Sequence, residues 1–160
     1  MKKLLLFFIS FALLSATMAQ SDAWSARTSA GGIVPAKAVS RLSFPKEFKL
    51  YELNMPSLKQ QLFAVAGNAA RHSAIISLPN AEGQMEQFEI FEASNFEPAL
   101  QARFPEIRAF SGKGVTDPTA MLKLSYSPQG IQTMVFRTDR ENEFIEPYSQ
   151  DGSVYAVFKY

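Results

Sequence analysis

From Ser73 onward the chain alternates short β-rich runs with turns built on Gly, Pro, Asn and Asp, and this rhythm restricts the fold more than any other feature. Ser73 to Pro79, with Ile75, Ile76 and Leu78, reads as a strand. Asn80-Ala81-Glu82-Gly83 is a tight turn in which Gly83 can take a positive φ. Gln84 to Ala93 is the return strand of a hairpin, with Phe88 and Ile90 on one face and Glu89 and Phe91 on the other. Glu106 to Phe110 begins a further series. A loop from Ser111 to Pro118 follows, then Ala120 to Tyr126, the turn Ser127-Pro128-Gln129-Gly130, and Ile131 to Arg137. The turn Thr138 to Asn142 leads to Glu143 to Glu146, and Val154 to Lys159 closes the series. Strands of this length and spacing imply a meander or a curved sheet.

Two helices interrupt the strands. Asn54 and Pro56 form a start signal, and Leu58, Leu62 and Val65 follow at helical spacing before Gly67-Asn68 ends the element. Glu97 to Phe104 fits a second helix, with Pro98 in its first turn, Leu100 and Phe104 one turn apart, and Pro105 as the stop. Val39 to Phe44 and Phe48 to Leu53 read as strands around the turn Pro45-Lys46-Glu47. Ser21 to Ala38, rich in Ser, Ala, Gly and Thr, reads as a mobile lead-in in which Trp24 is a loosely packed aromatic. The fold class is α+β: a mostly antiparallel, curved β-sheet of about eight strands with two short helices.

The N-terminus reads as a secretory signal peptide over residues 1–20. Met1-Lys2-Lys3 is basic, Leu4 to Leu14 is apolar apart from Ser10, and Ser15 to Gln20 is small and polar by comparison. The apolar run is roughly eleven residues, against the roughly twenty that a membrane span requires. Cleavage is expected at Ala19 or Gln20. The organisation is then a signal at 1–20, a lead-in at 21–38 and one domain at 39–160, secreted or held in a bacterial periplasm or cell envelope, with no membrane association after signal removal.

Charge and residue inventory narrow the chemistry. Without Lys2 and Lys3 the chain holds 14 basic against 15 acidic residues, which disfavours a nucleic-acid partner. It has no cysteine and a single histidine, His72, so a disulfide scaffold, a thiolate zinc site and a cysteine nucleophile are excluded and a histidine zinc site nearly so. His72 follows Arg71 in a polar stretch and reads as a solvated loop residue. Glu86, Glu89 and Glu92 crowd one strand; Glu86 and Glu92 share the face of Phe88 and Ile90, and the set reads as a solvated rim, not a catalytic pair. Gly112-Lys113-Gly114 lacks the length and the following helix of a phosphate loop, and its glycines read as a bend between strands. Asp117-Pro118 reads as a turn start. The residues thus describe a non-enzymatic β-rich module with no cofactor.

An ordered set of stretches carries a resemblance. It runs from Tyr51-Glu52-Leu53 with Leu58 and Leu62, through Ile76-Ser77-Leu78-Pro79 with Gly83, to Phe88-Glu89-Ile90-Phe91-Glu92. Pro98-Ala99-Leu100, Phe104-Pro105-Glu106-Ile107 and Phe110-Ser111-Gly112-Lys113-Gly114-Val115 with Asp117-Pro118 follow. Gly130-Ile131, Phe144-Ile145-Glu146-Pro147-Tyr148 and Val154-Tyr155-Ala156-Val157-Phe158 complete it. From about Phe48 to Tyr160 the chain resembles the propeptide of bacterial secreted reprolysin-like (adamalysin-related) zinc metalloproteases. The signature residues are Leu78, Pro79, Gly83, Phe88, Pro105, Gly112, Gly114, Asp117, Gly130, Ile145, Glu146, Pro147 and Tyr148.

The resemblance implies a domain that keeps the catalytic domain of a zinc metalloprotease latent, assists its folding, or both. Peptidase activity would belong to a longer precursor. Many reprolysin relatives place a cysteine thiolate on the zinc; with no cysteine here, blocking is expected to be steric or to use a carboxylate or carbonyl. Aromatic anchors are expected from Phe144 to Tyr148. The alternative is a free-standing envelope binding module, its apolar lining drawn from the eleven phenylalanines that follow the signal. N-terminal sequencing of the exported protein is expected to begin at Gln20 or Ser21. An intact Met1 terminus in the membrane fraction would count against export by cleavage.

Overall fold

The computed structural model describes residues 23–40, 44–68, 70 and 72–160. The expected signal and its cleavage residues Ala19 and Gln20 lie outside the described residues. Nine strands form one antiparallel sheet: β1 (Trp24–Arg27), β2 (Lys49–Leu53), β3 (Ala74–Pro79), β4 (Met85–Glu92), β5 (Arg108–Gly114), β6 (Met121–Ser127), β7 (Gly130–Phe136), β8 (Glu143–Pro147) and β9 (Val154–Lys159). Two helices, α1 (Met55–Phe63) and α2 (Pro98–Arg103), interrupt them. The spatial order is β1-β2-β9-β8-β7-β6-β5-β4-β3, and the sheet curves into a half-barrel. Strands β3 to β9 are thus a continuous meander, and β9 reaches back to pair with β2. Among the described residues no helix is long and apolar enough to cross a membrane.

Period-two alternation sorts the side chains onto two faces. The inner face collects Ile76, Leu78, Phe88, Ile90, Phe110, Leu122, Leu124, Tyr126, Ile131, Val135, Ile145, Tyr155 and Val157 in one buried cluster. Helix α1 lies on that cluster and contributes Leu58 and Leu62, with Val65 just beyond its end. Its start follows the expected chemistry: the Asn54 side chain accepts from the Ser57 N–H at 3.1 Å, and a proline occupies the first turn. A second cluster lies on the outer face of β2, β9 and β8. Leu50, Tyr148, Val154, Ala156 and Phe158 are covered there by Ile33, Val39, Phe44 and Phe48.

Three expectations need correction. The lead-in is partly built into the fold: Trp24–Arg27 is the edge strand β1, and Pro35 bridges to Ser149. Trp24 is buried, edge-on to Tyr51 and Tyr155 with ring centroids 6.5 and 5.6 Å apart, which supplies the ninth strand. Composition missed it because a four-residue strand is too short to show a period. The strand expected from Val39 is instead a 3-10 turn at Lys37–Ser40, and residues 41–43 lie outside the described set.

The loop expected from Ser111 is strand through Gly114. Its glycines serve close approach, not a bend. A Cβ on Gly112 would meet Ile90 and Leu122 at 3.1 and 3.2 Å, and one on Gly114 would fall 1.9 Å from the Asp117 carbonyl oxygen. Gly130 combines a φ of 117° with a virtual Cβ 2.4 Å from the Tyr155 hydroxyl, so both backbone and space select glycine there.

Leu62 is fully buried between α1 and the sheet. Leu62→Ala is expected to destabilise the domain by about 2–5 kcal/mol, read as a lower urea midpoint at unchanged slope. An unchanged midpoint would mean that α1 contributes little to the core.

Candidate functional site

Charged side chains converge where the β3–β4 turn, the β5–β6 loop and the β7–β8 loop meet. Arg137, just past β7, has a completely buried guanidinium. It pairs with Glu86 at 2.5 Å, Asp117 at 3.0 Å and Glu143 at 3.2 Å. Arg140 adds contacts to Asp117 at 3.4 Å and Glu86 at 3.7 Å. Asn80 donates to Glu86 at 3.0 Å, and the Ala81 N–H donates to Glu143 at 3.1 Å. Burial opposes the Arg137 cation, but Glu86, Glu143 and Asp117 outweigh it and raise its pKa. The Thr119 hydroxyl, and after it the Thr119 N–H and Arg137, hold the Asp117 carboxyl below its usual range.

This cluster corrects the reading of Glu86 as part of a solvated rim: it is buried. The signal was present as parity. Glu86 falls on the core face with Phe88 and Ile90, and Arg137 falls on the core face with Ile131, Thr133 and Val135. A charge on a buried face requires a counter-ion. The carboxylates face arginines or N–H groups, while Arg137 Nε and Glu143 Oε1 are buried without a hydrogen-bond partner among the described residues. The cluster ties three loops together.

The signature residues do not gather into one site. Leu78, Phe88 and Ile145 are core. Pro79 ends β3, Pro105 follows α2 and Pro147 ends β8. Gly83 and Gly130 occupy turns with positive φ, while Gly112 and Gly114 lie in β5. Asp117 belongs to the ion cluster. Tyr148 is buried in the outer cluster against Phe44 and Phe48, so it is not available as an exposed anchor. Phe144 is half-buried and stacks on Phe158 at 5.6 Å. His72 is exposed, and Glu89, also exposed, accepts from the Ser73 hydroxyl at 2.8 Å. Glu92 is half-buried and pairs with Arg108 at 2.8 Å. Among the described residues no three His, Cys, Asp or Glu side chains are placed to hold a metal ion.

The surface that remains open is the outer face of β3 to β7. Two cross-strand ladders run over it. One passes through Ile75, Glu89, Lys113, Met121 and Phe136. The other passes through Phe91, Ser111, Lys123, Met134 and Phe144 to Phe158. Ile75, Phe91, Met121 and Phe136 are 44%, 48%, 56% and 41% exposed. Beside them lies a groove of about 660 Å³ whose lining includes Asn95, Lys123, Gln132, Met134, Phe144 and Glu146. Lys123 donates to the Ser111 hydroxyl at 2.7 Å and, among the described residues, joins no ion pair. Such a face can hold an apolar surface and a few polar groups. Comparison with known proteins identifies no matching family, no matching curated protein and no matching solved structure.

Arg137→Met is expected to cost about 3–5 kcal/mol, because three carboxylates lose their buried counter-ion. Asp117 also sets an acid limb. Its lowered pKa stabilises the fold above the ordinary value near 3.8, and that contribution is lost as the pH falls through the lowered one. Urea midpoints of the wild type and the variant across pH 2–7 check both; an Arg137→Met midpoint equal to wild type at pH 7 would refute the cluster's role.

Proposed function

We propose that this chain is the latency and folding domain of an exported reprolysin-like zinc metalloprotease, acting by covering part of the catalytic domain. The reading rests on the ordered resemblance from Phe48 to Tyr160. Its main structural support is the open outer face of β3 to β7, where Met121 and Phe136 stand as an exposed, directly paired apolar couple. Uncovered sheet faces with large apolar side chains are surfaces for another protein. A buried ion cluster and a side-chain-filled inner face agree with a domain that works by surface complementarity. The groove of about 660 Å³ beside the ladders also suits the second reading, a free-standing module for a small mixed-polarity ligand.

The test is a titration of a matched mature catalytic domain with residues 21–160. Inhibition in the micromolar range or better is expected, unchanged by thiol-alkylating reagents because the chain holds no cysteine. Replacing both Met121→Glu and Phe136→Glu is expected to weaken inhibition at least ten-fold with unchanged circular dichroism. A folded wild-type domain that neither inhibits its cognate protease nor raises its refolding yield would sink the proposal.

A further inference from the structure

The Arg137 cluster leaves two buried polar atoms over, and they are complementary. An arginine carries five N–H donors in one plane. Nη1 of Arg137 meets Asp117 at 3.0 Å and Nη2 meets Glu86 at 2.5 Å, while the Nε–H is buried with no partner among the described residues. Glu143 has the opposite imbalance. Its Oε2 accepts the Ala81 N–H at 3.1 Å, and its Oε1 is buried and accepts from no described residue. The two side chains are 0% and 2% exposed, so bulk solvent supplies neither atom. The two atoms are also neighbours. Arg137 Nη2 lies 3.2 Å from Oε1 at an angle that makes no hydrogen bond, and Nε stands one guanidinium edge away. Arg140 Nε is 3.9 Å from the same oxygen, too far for a direct bond.

We infer that one internal water is a structural ligand of this fold, held between the Arg137 Nε–H and Glu143 Oε1. The inference is independent of the latency reading. The chemistry of the two atoms selects the occupant. The site takes one molecule that accepts from a guanidinium and donates to a carboxylate oxygen, and water does both at once. A cation there would face the guanidiniums of Arg137 and Arg140, and an anion would face Glu86, Asp117 and Glu143. The reach fits as well, since two bonds of about 2.9 Å let one water span up to about 5.8 Å. Buried donors and acceptors in native folds are met by protein or by ordered water, because leaving them unmade costs more than a made bond gains. The bridge has a structural consequence. A continuous line runs from Arg137 past the end of β7, through the water and the Glu143 carboxylate at the start of β8, to the Ala81 N–H in the β3–β4 turn. It ties Arg137 to that turn by a second route, beside the one through Glu86 and Asn80.

A crystal structure of the protein at a resolution that orders internal water is expected to place one water within hydrogen-bonding distance of both atoms. In solution, the Arg137 Hε is expected to show a rotating-frame Overhauser peak to water of opposite sign to the diagonal, which separates a bound water from proton exchange. Oxygen-17 relaxation dispersion is expected to lose one long-lived water in Glu143→Met relative to wild type, at unchanged circular dichroism. Should that variant fail to fold, the two wild-type measurements decide. Density in which Nε and Oε1 bond to each other or to other protein groups, with no Overhauser peak, overturns the site. An equal number of long-lived waters in wild type and a folded Glu143→Met overturns it too. A bromide or rubidium anomalous peak between the two atoms overturns water as the ligand.

Discussion

Strand β9 is buried on both faces, and through it β2 joins the sheet of the meander. Tyr155 and Val157 enter the inner cluster while Val154, Ala156 and Phe158 enter the outer one. Its neighbours are β8, from the meander, and β2, from near the N-terminus. Without β9 the β1–β2 pair would have no sheet to join, and Ile33, Val39, Phe44 and Phe48 would have nothing to cover. Tyr155 adds a polar tie, since its hydroxyl accepts the Ile131 N–H at 3.3 Å beside Gly130. A near-continuous apolar run such as Val154 to Phe158 signals burial on both faces.

The curl of the sheet brings its distant parts together at one end. Glu82, in the β3–β4 turn, pairs with Lys159 at the end of β9, and its carbonyl accepts from Lys49 of β2 at 2.9 Å. The Arg137 cluster lies at the same end and ties the β3–β4 turn to the loops after β5 and β7. The polarity of the molecule is thereby partly inverted. An arginine and two glutamates are buried at the end of the barrel, while phenylalanines, a methionine and a leucine stand in solvent on the outer face and on α2. Buried ions are costly unless fully paired, and exposed apolar side chains forgo burial. The first cost is offset within the fold by the ion pairs of Arg137, which leave only its Nε and Glu143 Oε1 without a hydrogen bond among the cluster's buried atoms. The second finds no compensation within the described residues.

The start of helix α1 was legible because its determinants are local: the Asn54 cap, a proline in the first turn, and the stripe of Leu58 and Leu62; its end falls at Phe63, short of the expected Gly67-Asn68, with Val65 packed on the core from the turn beyond. The β3–β4 hairpin and the β6–β7 turn were equally plain, since Gly83 and Gly130 occupy the positive-φ positions that such turns require. Strand β1 was not, because Trp24 takes its order from Tyr51 and Tyr155, which lie far away in sequence. Gly112 and Gly114 were misread for a related reason. A glycine that admits a neighbouring strand and one that permits a turn look alike until the neighbour is known.

The sequence by itself determined the alternation of apolar and polar residues, the turns and the two helices, and hence a curved, mostly antiparallel sheet. These depend on period and backbone preference, which act over a few residues. Only the tertiary structure decided that Glu86 is buried against Arg137, that Tyr148 is core, and that Leu100 and Phe104 face outward although their spacing would suit burial. Those outcomes depend on what stands opposite each side chain across the sheet. Strand parity can mark a position such as Glu86 as core-facing, but it does not name a partner dozens of residues away.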